Sequence, residues 1–220
     1  MVARDIPGIY NNPVLGWISG IHLNDIGKVL PKVINGKTGR AEENKIAVLH
    51  VALHKGKFAK LEILNIFEQG NGHILKFEKD GFNCTDCLIN GKKQKLSDYL
   101  ISNSVDTRLP LVADYSGANI NISFQNVDRV KGEVTFYAPV LKNTEYKLAK
   151  PIQNYVQQFN SLLKNDVLKE EEILFSCNCI LNYLYSELDG KKTGSIKGPF
   201  TFGEIAYVLV NQTMVYLSIV

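Results

Sequence analysis

The residues with the most chemistry in this chain are four cysteines in two close pairs, Cys84-Thr85-Asp86-Cys87 and Cys177-Asn178-Cys179. Four thiols match the ligand count of a structural zinc site, and the first pair has the two-residue gap such sites use. The second pair has a single residue between its thiols, a poor spacing for a knuckle, and at a strand end its side chains can point apart. No metal is therefore assigned. Thioredoxin-type chemistry at Cys84 would need a strand, the two thiols and an apolar helix in succession, and no such helix follows.

Cys177 ends the apolar run Ile173-Leu174-Phe175-Ser176-Cys177 and precedes an expected helix over residues 178–188. Backbone N–H groups at a helix start favour an anion and lower a thiol pKa. A reactive or ligand-facing thiol is one reading; a small buried apolar residue is the other. A thiol enzyme would place a histidine beside Cys177, but His22, His50, His54 and His73 all lie in the first third of the chain.

Three further groups could hold a ligand. At Gly203-Glu204, glycine permits close backbone approach and the carboxylate could receive an amine, unless this is a turn with a solvated acid. Asn211-Gln212-Thr213 offers amide donors and acceptors. Asp114-Tyr115-Ser116-Gly117 is a second ligand wall or a plain turn. With Ser176, Cys177 and Asn178, the candidate ligand residues are Asp114, Tyr115, Gly203, Glu204 and Asn211. No catalytic set and no cofactor are assigned. There is no P-loop, no dinucleotide glycine fingerprint, no HExxH pair and no GxSxG elbow.

The elements that must position these residues come from hydrophobic periodicity. Residues 1–20 read as an extended lead-in with Trp17 anchoring it to the core. Asn24 resembles an N-cap before Ile26, Val29, Leu30, Val33 and Ile34 at helical spacing. Asn35-Gly36-Lys37-Thr38-Gly39 is a turn. Residues 46–53, 61–67 and 73–77 read as three strands of an antiparallel meander. Short strands follow at residues 82–89, 120–124, 134–137 and 146–148, with helical spacing around Leu96, Tyr99 and Leu100. Pro151 suits a first helical turn, and Ile152, Tyr155, Val156, Phe159, Leu162 and Leu163 trace one apolar face. The closing unit, residues 171–220, reads as strand, helix, loop, strand and strand, and its polar strand ends are where open sheets gather ligands.

Composition narrows the class. Apolar residues at 45% and charged ones at 21% suit a globular chain. A net charge of +3 with scattered lysines leaves no basic face for nucleic acid. No stretch reaches the roughly 20 apolar residues of a membrane helix, and the first residues lack an apolar signal core. The expectation is a cytoplasmic protein whose cysteine pairs are free thiols, redox pairs or metal ligands more often than structural disulfides, and the Lys/Asn/Ile-rich composition suits a bacterial source.

From about Asp80 onward the chain resembles the C-terminal half of the FIST family of intracellular sensory domains. The match rests on ordered features: Cys87-Leu88-Ile89-Asn90-Gly91, Leu109-Pro110-Leu111, Gly132-Glu133-Val134-Thr135-Phe136, Tyr146-Lys147-Leu148-Ala149, Phe175-Ser176-Cys177, Phe202-Gly203-Glu204-Ile205 and Asn211-Gln212-Thr213-Met214-Val215. Two departures stand out. Only about eighty residues precede the match where the family carries a full N-terminal half. Asn178-Cys179 replaces the family's Gly-Arg, so no arginine chemistry carries over. The resemblance implies sensing of a small polar metabolite, an amino acid or a relative of one, with a signalling protein as output partner.

Together these readings predict a mixed α+β fold with largely antiparallel and mixed sheets. Residues 1–80 form a divergent N-terminal region packed on the rest, and residues 81–220 a FIST-like domain. The first functional expectation is a non-enzymatic sensory module. The alternatives are a protein-interaction or regulatory domain without a small ligand, and a thiol enzyme using Cys177.

Overall fold

Strands dominate because β-branched and aromatic residues recur in short alternating runs broken by glycine and asparagine turns. The computed structural model describes residues 9–115, 117–165, 173–185, 190 and 198–220. In chain order the elements are β1 (Leu15–Trp17), β2 (Val33–Asn35), β3 (Arg40–Glu42), β4 (Ala59–Leu64), β5 (Leu75–Lys76), β6 (Gly81–Cys84), β7 (Asp86–Ile89), β8 (Lys92–Lys95) and α1 (Leu96–Ser102). There follow β9 (Leu111–Tyr115), β10 (Ala118–Ile122), β11 (Phe124–Asp128), β12 (Glu133–Val140), β13 (Glu145–Leu148), α2 (Tyr155–Asn165), β14 (Ile173–Cys179) and α3 (Ile180–Tyr185). The chain closes with β15 (Phe200–Thr201), β16 (Glu204–Ala206), β17 (Val208–Val210) and β18 (Met214–Ile219). This is an α+β fold of antiparallel and mixed sheets.

The largest core lies between a six-stranded sheet, ordered β10-β9-β13-β5-β7-β8, and a three-stranded sheet, β11-β12-β6. Leu75, Leu96, Leu111, Val134, Phe136 and Tyr146 are its buried centre. The closing unit builds the sheet β15-β14-β18-β4, in which only β14 and β15 run parallel. Side chains alternate across a sheet, so its two faces pack differently. Leu64, Met214 and Tyr216 meet Phe159 of α2 on one face. On the other, Cys177 and Val215 meet Ala206, Val210 and Ile120. Strands from the first eighty residues enter the later sheets directly: β1 pairs with β16, and β4 with β18.

Tyr155, Val156, Phe159 and Leu162 turn inward on α2 as their spacing predicts, Pro151 and Ile152 lie before the helix, and the Leu163 side chain lies outside the described residues. Asn154 caps it instead, its Oδ1 accepting the Gln157 backbone N–H at 3.0 Å. The expected helix after Asn24 is replaced by a single 3-10 turn, Leu23–Asp25, and the β2–β3 hairpin. Pro31 removes a backbone donor there, and the apolar positions have nothing to pack on: Ile26, Val29, Leu30 and Ile34 are exposed. Trp17 is half-exposed, yet its ring stacks on Phe175 at 5.2 Å between centroids, tying β1 to β14.

Residues 46–53 also depart from expectation. A turn closes at His54–Lys57, as a hairpin would require, but residues 45–53 pair with no strand among the described residues. An apolar run of strand length reports a strand only where a partner strand exists. Among the described residues no helix is long and apolar enough to cross a membrane.

Candidate functional site

Glu204 is the chemical centre of the closing unit. β16 is the middle strand of β1-β16-β17, so its backbone is bonded on both sides and its side chain is held in the interior. Gly203 precedes it at φ 141°, a conformation glycine adopts freely, and a Cβ there would crowd the Leu209 side chain at 3.1 Å. The Glu204 carboxyl is fully buried. Thr201 and Thr213 hydroxyls donate to its two oxygens at 3.4 Å each, contacts too long to offset the loss of water. Burial therefore pushes its pKa up to about 8, and at pH 7 it is mostly a neutral acid.

Both thiols of β14 lie within electrostatic reach of Glu204. Cys177 sits inside the strand and is fully buried. Burial first, and the Glu204 charge second, push its thiol up to about 12. Of the two readings of Cys177, its surroundings support the small buried apolar residue: β14 runs two residues past it, and its environment is apolar instead of electropositive. Cys179 is raised as well, by burial and then by Glu204. The other two thiols belong to the large core, where Cys87 is raised by its hydrogen bond with Cys84 and by burial. Because Cys177 packs in a different cluster, the four-thiol arrangement does not form. Among the described residues no group of three or more potential ligands gathers around a metal position.

Ser176 and Asn178 turn to the opposite face of β14, in register with Tyr216 and Met214. Ser176 Oγ accepts the Gly198 N–H at 3.2 Å. Gly198 lies so close that any Cβ would overlap the Ser176 carbonyl oxygen. Asn178 Oδ1 accepts from Asn182 Nδ2 at 2.9 Å, and the same Nδ2 donates to the Thr213 carbonyl at 3.0 Å. Among the described residues Asn178 Nδ2 and Asn182 Oδ1 are buried without partners.

Asn211 belongs to a third polar group that residue spacing did not reveal. Its Oδ1 accepts the Ser123 backbone N–H at 2.9 Å, while its buried Nδ2 has no partner among the described residues. Ser123 Oγ donates to Gln212 Oε1 at 2.6 Å, and Gln212 Nε2 donates to the Arg108 carbonyl at 2.9 Å. Asn121 Nδ2 reaches the Asn211 and Gln212 carbonyls and also pairs with Asn65. This clamp ties the β17–β18 connection to β10. Its members lie far apart in sequence, so no local signal could have found it.

Tyr115 packs beside the cluster that holds Cys177, and its hydroxyl meets that of Tyr146 at 3.2 Å. Asp114 stands apart from these buried groups. Strand alternation turns it to solvent, where its carboxylate accepts the Gly117 N–H and closes the β9–β10 turn. Ser116, in that turn, lies outside the described residues. A cleft of about 220 Å³ opens beside Arg108, Gln125 and Tyr185, and none of the eight expected ligand residues lines it.

A family model described as a family of unknown function, DUF6976, matches residues 1–220. The chain belongs to this family. The DUF6976 match covers both the FIST-like residues and those before them. No curated protein and no solved structure matches the chain.

Proposed function

We propose that this chain is a non-catalytic recognition domain that works by contact with another protein. One observation carries the reading. The continuous apolar run of residues 46–53 is exposed on both sides, with Ile46 84%, Val48 69% and Leu49 85% accessible. Large contiguous apolar surface on a folded chain marks an interaction site. The chemistry-bearing residues support the same reading from the other direction, because Cys177 and Glu204 are buried and protonated at neutral pH. Four free thiols support a cytoplasmic setting.

The test uses a triple variant, Ile46→Ser/Val48→Ser/Leu49→Ser. Its circular dichroism should match the wild type, and its native size in a gentle extract should fall to that of one chain. If the variant unfolds, or wild type and variant both run as single chains, the reading fails.

A second reading, sensing of a small polar metabolite, draws on the FIST resemblance and on the unpartnered Asn178, Asn182 and Asn211 atoms. Buried polar atoms in folded proteins are nearly always satisfied by protein, water or ligand. Native mass spectrometry would retain an added mass of metabolite size if this reading holds. A bare chain mass, with no thermal shift across an amino-acid panel, would count against it.

A further inference from the structure

Cys84 and Cys87 stand three residues apart, and in a straight strand their side chains would leave opposite faces. The chain is not straight there. It bends at Thr85, where β6 of the three-stranded sheet gives way to β7 of the six-stranded one. The Thr85 carbonyl accepts the Leu96 N–H at 2.9 Å, which ties the bend to the start of α1. The bend brings both thiols to the largest core: Cys87 is a buried member of it, and Cys84 packs against it. Cys84 Sγ donates to the Asp86 carbonyl at 3.4 Å, one residue short of Cys87, and the two thiols are themselves hydrogen-bonded.

The two thiols differ in access. Cys84 is partly exposed, while Cys87 is fully buried. A dissolved reagent therefore meets Cys84 first, and whatever it leaves on that sulfur stands beside Cys87. An accessible thiol backed by a second one is the arrangement in which an adduct is resolved to a disulfide. In reducing compartments, disulfides of this kind are transient and redox-sensing more often than structural.

We propose that Cys84 and Cys87 are a reversible oxidation site, closed into a disulfide by a small-molecule disulfide of the glutathione type. The Cys84 thiolate attacks one sulfur of that molecule, whose S–S bond breaks and releases a first thiolate. Cys84 then carries a mixed disulfide. Cys87 attacks the Cys84 sulfur, the mixed S–S bond breaks, and the Cys87 proton passes to the second departing thiolate. The two cysteines lose two electrons, and the small disulfide is reduced to two thiols. The hydrogen bond with Cys84, and then burial, push the Cys87 thiol up, so Cys87 keeps its proton while Cys84 reacts. The new bond joins β6 to β7 and fixes the crossing between the two sheets that enclose the core. The site is independent of the contact and metabolite readings, since neither uses these thiols.

The native full-length chain tests this by incubation with glutathione disulfide, acid quenching and peptide mapping by mass spectrometry. The tryptic peptide of residues 80–92 holds Cys84 and Cys87 and no other cysteine. In the wild type it should become two hydrogens lighter, carry no glutathione and return to its first mass with dithiothreitol. Cys87→Ala cannot resolve the adduct, and should accumulate about tenfold more glutathione on Cys84 than the wild type does. Cys84→Ser should stay unmodified while folded. A stable glutathione adduct on wild-type Cys84 would overturn the proposal, because the two sulfurs then do not reach each other. So would a peptide 80–92 that changes only after denaturant is added, or a disulfide that joins two chains. The wild-type measurement needs no variant, so a failure of Cys87→Ala to fold leaves the test intact.

Discussion

Cys177 and Asn178 are sequence neighbours whose side chains enter different interiors. Cys177 packs with Val215, Ala206 and Val210, while Asn178 pairs in register with Met214 and bonds to Asn182. Strand β14 therefore divides the residues that its sequence brings together, and the thiol faces Glu204 without the asparagine.

The first consequence concerns thiol reactivity. Partly exposed Cys84 should be alkylated first by iodoacetamide at pH 7, with Cys87, Cys177 and Cys179 protected until denaturant is added. Peptide mapping by mass spectrometry reads this directly. Selective labelling of native Cys177 would restore the thiol-enzyme reading.

Glu204 should make stability fall as pH rises. Its acid is raised from an ordinary 4.5 to about 8 in the folded chain. Between those values the folded state holds one proton more than the unfolded state, so stability declines across that window by at most about 1.4 kcal/mol per pH unit, then levels off. Glu204→Gln keeps the shape without the ionisation. Urea unfolding at pH 5 and pH 8.5 should show a smaller loss for the variant than for the wild type. Parallel curves would mean that Glu204 is solvated.

Backbone crowding makes Gly198 irreplaceable. Gly198→Ala forces a methyl group onto the Ser176 carbonyl, and separation of β14 from the chain at Gly198 should cost about 3 kcal/mol, as in other overpacked interiors. Gly72, with nothing near it, is the control. Gly72→Ala should unfold at nearly the wild-type denaturant concentration.

The buried clamp on Ser123 predicts a further loss. Gln212→Ala removes the acceptor of the Ser123 hydroxyl and the donor to the Arg108 carbonyl. Leaving the buried Ser123 hydroxyl without its acceptor should cost about 1–3 kcal/mol. The double variant with Ser123→Ala should lose less than the sum of the two single variants, since the orphaned hydroxyl is gone.

What was legible in the sequence followed local periodicity. The apolar face of α2, strand β14 and the final strand β18 stand where their spacing puts them, because each has its partner within the chain. The run 46–53 has an equally clear pattern and no partner within it, so pattern alone overstated its pairing. The segment after Asn24 has helical spacing but no surface to pack on, and a helix needs that burial more than it needs the spacing. Of the expected ligand residues, Cys177 and Glu204 come within electrostatic reach of each other, through tertiary packing alone. The Asn65–Asn121 and Ser123–Gln212 contacts, 56 and 89 residues apart, were beyond any local reading.

The most direct measurement is the native size of the wild type and Leu49→Lys in a gentle extract, with the unfolding midpoint of each purified chain beside it. The wild type should run larger than one chain, the variant at the size of one chain, and the two midpoints should agree. Equal sizes for both proteins, or a collapsed midpoint in the variant, would contradict residues 45–53 being a contact surface.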